Sequence, residues 1–116
     1  MEVLPTLKNN FMPQIKDIKK KELSPGITGQ YVHGESLTTG WVTIEKGSTL
    51  GLHHHPHEQI TIMLKGKMEM KIGDETVLLQ AGMIQVIPSN VPHSAIAYED
   101  STLIDVFNPV REDYRS

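Results

Sequence analysis

Gly47-Ser-Thr-Leu-Gly-Leu-His53-His-His55-Pro-His57-Glu-Gln59 holds four of the chain's six histidines. Such crowding points to metal chemistry. On an extended backbone, residues 53, 55 and 59 share parity, so they project to one side of a sheet and can converge on one ion. Imidazole nitrogen is a donor that zinc, nickel, iron and copper favour, and the amide oxygen of Gln59 is a harder, neutral fourth donor. His54 has the opposite parity and should face away. His57 has the right parity, yet Pro56 beside it distorts the backbone; a ligand, a hydrogen-bond partner of a ligand and a rim residue all stay open for it. The plain alternative for the whole stretch is a histidine-rich surface loop that binds nothing specific.

Outward from this stretch, short runs rich in Val, Ile, Thr and aromatic residues recur: 30–33, 40–45, 59–65, 67–72, 75–79, 83–87, 93–98 and 102–107. Between them stand Gly47-Ser48, Lys65-Gly66, Gly73-Asp74, Ala81-Gly82, Pro88-Ser-Asn-Val-Pro92 and Glu99-Asp100. These separators suit antiparallel hairpins and are too short for crossover helices. The spacing predicts an all-β chain of eight strands in a sandwich or barrel, small enough to enclose one ligand. His93 follows the doubly proline-stiffened turn 88–92, which can hold its side chain at a barrel mouth beside the first cluster. His33 has no such companions and reads as a surface or structurally satisfied histidine.

Before Gly26 the chain is lysine-rich and ends on the turn signal Ser24-Pro25-Gly26. Residues 1–25 read as a peripheral arm, either a short helix or an edge strand, with Lys19 to Lys21 as a solvated face. Residues 26–116 form the single barrel domain. With 116 residues and 38% apolar content the chain fits one domain, burying roughly 65% of its unfolded surface. Eleven basic against fourteen acidic residues leave a net charge of -3, which argues against nucleic acid or an anionic membrane as partner. The absence of cysteine excludes disulfides, thiolate metal sites and cysteine nucleophiles. No secretory leader or apolar run of roughly 20 residues is present, so a cytoplasmic location is expected. Met63, Met68, Met70 and Met83 read as adaptable core filling, and Trp41 as core or interface.

Taken together, two segments resemble the motifs of the cupin superfamily, G-x5-H-x-H-x3,4-E-x6-G and G-x5-P-x-G-x2-H-x3-N. Gly47, His53, His55 and Gly66 fall at the first spacing with Gln59 in the glutamate position; Gly82, Pro88 and His93 fit the second. The resemblance implies an antiparallel double-stranded β-helix, or jelly roll. It also implies one divalent transition metal (nickel, zinc, iron or manganese) held by His53, His55, Gln59 and His93. Asn90 replaces the second motif's glycine and Ala97 its asparagine. Asn tolerates left-handed backbone angles and can serve the same turn. Gln59 in place of glutamate removes a negative charge from the ligand set, which favours anionic substrates and stronger Lewis acidity.

The stretch 53–59, together with Asp105-Val-Phe107-Asn-Pro-Val-Arg111-Glu-Asp-Tyr114, is similar to the KdgF-type small cupins. Those proteins convert 4,5-unsaturated monouronates from pectin and alginate breakdown into linear ketonised sugars. The resemblance implies catalytic roles for Asp105 and Arg111 and substrate contacts for Phe107 and Arg111. Asp105 and Phe107 share parity, so both can point inward with Leu103 as apolar lining. For Asp105, a proton shuttle and a loop-pinning hydrogen bond stay open. For Phe107 the choice is packing or substrate platform, and for Arg111 a solvated tail residue or a bidentate carboxylate fork. The expected partner is a small anionic substrate, and a homodimer is expected from exposed sheet faces and edges. Readings from other classes are a metal-dependent dioxygenase or lyase on another small acid, and a non-catalytic small-molecule-binding cupin.

Overall fold

The computed structural model describes residues 13–115. Ten strands form two antiparallel sheets: β1 (Lys21–Ser24), β2 (Ile27–His33), β3 (Thr38–Ile44), β4 (Thr49–His53), β5 (Glu58–Lys65), β6 (Lys67–Ile72), β7 (Glu75–Gln80), β8 (Ile84–Ile87), β9 (His93–Ala97) and β10 (Ser101–Asn108). The larger sheet runs β1-β2-β3-β10-β5-β8 and the smaller β4-β9-β6-β7. Two strands add to the eight expected. β1 lies inside the expected arm and pairs with β2, so the sheet begins at Lys21. Its sequence, Lys21-Glu-Leu-Ser24, carries no apolar run, which an edge strand does not need. β4 was hidden because Gly51 and half-exposed positions break its alternation, and only β9 pairs with it. Of the expected arm, residues 1–12 lie outside the described residues; the described part makes a short 3-10 turn at Ile15–Asp17 and then β1.

Alternation decides which side chains enter the barrel. β3 buries Thr38, Gly40, Val42 and Ile44 in turn, and β5 buries Gln59, Thr61 and Met63. The register between neighbours aligns these into cross-strand rows: Val42, Leu103 and Met63 form one, Gly40, Asp105 and Thr61 the next, and Thr38, Phe107 and Gln59 the third. The first row packs against Met68, Met70, Leu79 and Ala97 of the smaller sheet to make the core. Each such apolar side chain contributes about 1.5–3 kcal/mol by burial. Met83 is a correction: it is 44% exposed, and its sulfur accepts a hydrogen bond from Gln80 N in the turn before β8. Trp41 is half-buried on the outer face of the larger sheet. That face also carries Ile60, Ile84 and Val86, all exposed.

Past β10 the chain turns through a cis Asn108–Pro109 peptide and folds back over one end of the barrel. Arg111 N donates to Thr38 Oγ1 at 2.9 Å, which ties this return to β3. A 3-10 turn at Glu112–Tyr114 follows.

Candidate metal centre

The three histidines converge from different elements. His53 ends β4 in the smaller sheet, Gln59 lies on β5 in the larger, and residues 54–57 carry the chain across between them. The shared side expected from extended parity is therefore produced by a sheet-to-sheet crossing, not by one continuous strand. His93 opens β9 directly opposite His53. Asn90 N donates to His55 O at 2.8 Å, and Ser89 Oγ donates to Pro56 O at 2.6 Å, so the two motif loops are stitched together. Asn90 takes the left-handed conformation anticipated for it, at φ 63°. His54 is exposed.

Ligand nitrogens of His53, His55 and His93 all lie within 4.8 Å of one another. Each imidazole has its Nδ1 against a backbone carbonyl: His53 on Gly51 O at 2.7 Å, His55 on His57 O at 3.0 Å, His93 on Val91 O at 2.9 Å. Those carbonyls can only accept, so Nδ1 carries the proton and Nε2 is left as a lone pair, the arrangement typical of metal-binding histidines. Burial pushes His55 down to about 4, helped by the charge of Arg111, and burial also lowers His93. Both rings stay neutral and ready to ligate. The Nε2 of His93 is buried and has no hydrogen-bond partner.

Gln59 supplies a sharper sign. Its Nε2 donates to Thr61 Oγ1 at 3.0 Å and to Asp105 Oδ1 at 3.1 Å. That fixes the amide, and its Oε1 faces His55 Nε2 at 3.0 Å. Two acceptors meet head-on, a contact that a cation relieves. The orphaned His93 nitrogen and this acceptor pair fit a divalent metal, which His53, His55 and His93 could hold with the Gln59 oxygen turned towards His55.

His57 stands apart from the triad. Its Nε2 donates to Val110 O at 3.3 Å, its Nδ1 is buried without a partner, and its carbonyl receives the His55 proton. Its backbone therefore orients the His55 ring, and its own ring lies 6.4 Å from that of Phe107 between centroids, outside the cavity lining. His33 is satisfied by Thr38 Oγ1 at 2.9 Å and lies outside the cavity lining.

Asp105, Phe107 and Arg111 line a cavity of about 50 Å³ together with His53, Gln59 and His93. A water needs about 10–15 Å³ on this measure, so an ion and a few waters fill it, and a sugar acid must reach in from the mouth. Asp105 Oδ1 accepts from Thr61 Oγ1 at 2.7 Å as well as from Gln59. Burial raises its carboxyl to about 6, against the pull of those two donors and of Arg111. Phe107 meets His55 edge-on at 5.7 Å between centroids. Arg111 is buried, and Asp113 takes its Nε at 3.0 Å and its Nη2 at 2.7 Å.

Three neighbours of these groups carried no expected role. Thr61 was legible in principle, two residues beyond Gln59 on the same strand face. Tyr31 lies across Gly29 and Gly40, where any Cβ would run into its ring, and so reaches the cavity in the row of Asp105. Tyr114 stacks on Tyr31 at 4.6 Å between centroids and packs on Arg111. No local pattern marks either tyrosine.

Comparison with known proteins bears on most of the chain. The model of the cupin domain matches residues 40–107. The pectin degradation protein KdgF of Dickeya dadantii is 31% identical, over 81% of this chain and 88% of that one. The structure of KdgF from a Halomonas species superposes with a TM-score of 0.80 at 30% identity, covering 86% of this chain and 94% of that one. A probable transcriptional regulator of Photobacterium leiognathi, LumQ, is 44% identical over 45% of this chain, which spans only 20% of the regulator's length. Among the described residues, no helix is long and apolar enough to cross a membrane.

Proposed function

The chain belongs to the cupin family, and from that premise we propose that it is a metal-dependent enzyme that converts 4,5-unsaturated monouronates to linear keto sugars. The observation that carries this reading is the likeness to KdgF over most of both chains. Asp105, Phe107 and Arg111 beside the histidine cluster support it.

In such a uronate the C4=C5 double bond is conjugated with the carboxylate, and C5 bears the ring oxygen. Ring opening removes the proton of the C1 hydroxyl and breaks the bond between C1 and the ring oxygen, giving an aldehyde and an enolate at C5. Delivery of a proton to C4 turns the enolate into a ketone. One proton leaves and one arrives, so the change is an isomerisation with no redox step. A divalent ion held by His53, His55, Gln59 and His93 would supply Lewis-acid polarisation of substrate oxygens. Asp105, poised near 6, can take a proton at one atom and return one at another near neutral pH. Arg111 orients the substrate carboxylate, and Phe107 packs under that guanidinium. Phe107 and Tyr114 line the cavity and close its walls against water.

The test is a time course of ultraviolet absorbance of 4,5-unsaturated galacturonate with metal-loaded protein, chelated protein and buffer alone. Loss of the conjugated double bond above the spontaneous rate, abolished by chelation, is the expected result. No acceleration with nickel, zinc, iron or manganese overturns the assignment. A second reading, a non-catalytic sensing cupin, draws on the LumQ match; ligand-induced thermal stabilisation without turnover would favour it. The expected homodimer has support in the apolar outer face of the larger sheet, and a solution mass of twice 13.0 kDa would bear it out.

A further inference from the structure

Among the described residues, Arg111 is the one cationic side chain that lines the cavity, and it is already in use. Its side chain is 8% exposed, and its Cζ lies 4.7 Å from the Phe107 ring centroid and 3.9 Å from that of Tyr114. Those two rings stand at 87° to each other and fix the plane of the guanidinium. Both members of its Nε–Nη2 edge, the pair best suited to a carboxylate, are engaged by the two oxygens of Asp113. Asp113 is two residues away on the 3-10 turn, and its side chain is 57% exposed.

We propose that Asp113 is a built-in occupant of the carboxylate slot of this cavity, holding Arg111 in place until the carboxylate of an acidic ligand takes over the same edge. This rests on the reading that Arg111 meets the ligand's carboxylate, and it adds what must happen first. The asymmetry of exposure sets the direction of exchange. A buried guanidinium left unpaired is strongly unfavourable, so Arg111 keeps a carboxylate partner throughout. Asp113 can turn its charged group into water at little cost because it is already more than half exposed. The number of ion pairs is the same before and after, so the carboxylate of a ligand gains little net electrostatic energy from binding. Selectivity for acids is retained, since a neutral sugar offers nothing in exchange for Asp113. Arg111 also holds the Asp113 carboxyl below the usual range, so the resident occupant is charged whenever an acidic ligand is. Asp113 is thus a positioning residue that acts through Arg111.

The experiment is a calorimetric titration of metal-loaded protein with D-galacturonate, which carries the carboxylate and lacks the reactive double bond. D-galactose is the neutral control. Asp113→Asn should bind galacturonate about fivefold more tightly than the wild type, the gain expected from one partly exposed ion pair no longer being broken. Its affinity should fall as salt rises from about 0.05 to about 0.5 M, whereas wild-type affinity should change little, because exchange conserves charge pairs. Asp113→Glu should restore wild-type behaviour, and galactose should not distinguish the variants. Asp113→Ser repeats the test without a side-chain amide. The proposal is overturned if neither Asn nor Ser at this position tightens galacturonate binding, or if galactose binding tightens equally. If unsaturated galacturonate is not turned over but Asp113→Asn still gains affinity, the reaction assignment fails and the exchange stands. The converse result removes the exchange alone.

Discussion

At one end of the barrel cavity Val42 and Leu103 meet Met68, Met70 and Ala97; at the other, Gln59, Thr61 and Asp105 meet His53, His55 and His93. The same strands build both ends. On β10, Leu103 belongs to the core and Asp105, two residues or about 6.8 Å further on, to the site. On β5, Met63 and Thr61 stand in the same relation. The apolar end has its interactions satisfied within the chain. The polar end holds an unpartnered imidazole nitrogen, two acceptors facing each other and a carboxyl pushed up by burial. One end stabilises the fold, and the other spends stability on chemistry.

If that division is real, substitutions at the two ends should separate stability from activity. Asp105→Asn should lower turnover of unsaturated uronate about a hundredfold or more, since it removes the proton carrier but keeps an acceptor for Thr61. The same variant should raise the melting temperature of metal-free protein at pH 7.5, because a buried carboxylate is no longer charged. At this chain length each kcal/mol corresponds to roughly 4 °C in scanning calorimetry. A loss of melting temperature would break the comparison from the polar side. Leu103→Ala, at the other end, should cost about 2–5 kcal/mol by chemical denaturation while leaving metal affinity within about threefold. A collapse of metal binding in folded Leu103→Ala protein would show that the two ends are one unit.

Thr61→Val sits at the boundary. It frees the Gln59 amide from one of its two anchors, and should weaken divalent-metal binding about tenfold in a competition titration with little change in melting temperature. The smallest effect concerns pH. His55, held near 4, gives metal-free protein stability that is full above its ordinary value of 6.5 and lost as pH falls towards 4. Asp105 works the other way: raised from 3.8 to about 6, it favours the fold at low pH and disfavours it as pH climbs through that window. His93 and His33, also lowered by burial, slope with His55, and Asp105 alone opposes them, so the wild type should gain stability with pH between 4 and 6.5 less steeply than it would without that carboxyl. Asp105→Asn should show the histidine slope alone, with stability rising with pH. A wild type as steep as the variant would contradict the assignment.

Most of the architecture was legible because alternation and short polar separators are local signals: the runs at 59–65, 67–72 and 75–79 match β5, β6 and β7 within one residue. β1 and β4 escaped because edge strands need not be apolar, and Met83 because a turn sulfur and a core sulfur look alike in sequence. His53, His55, Gln59 and His93 could be read from two motif spacings. What could not be read is how they are aimed. The Gln59 amide is oriented by Thr61 and Asp105 from two different strands, and Arg111 is claimed by Asp113, whose motif position alone gave no hint of pairing. Tyr31 enters the site because Gly29 on its own strand and Gly40 on the neighbouring one leave room for its ring.

The central claim is that the polar end is a metal centre made of three imidazole nitrogens and one aimed amide oxygen. Calorimetric titration of chelator-stripped protein with nickel, zinc or manganese tests it directly. One ion per chain for the wild type, weaker binding for Thr61→Val and no specific binding for His93→Ala is the predicted outcome. Wild-type protein that takes up no ion, or His93→Ala protein that binds one as tightly as the wild type, would contradict it.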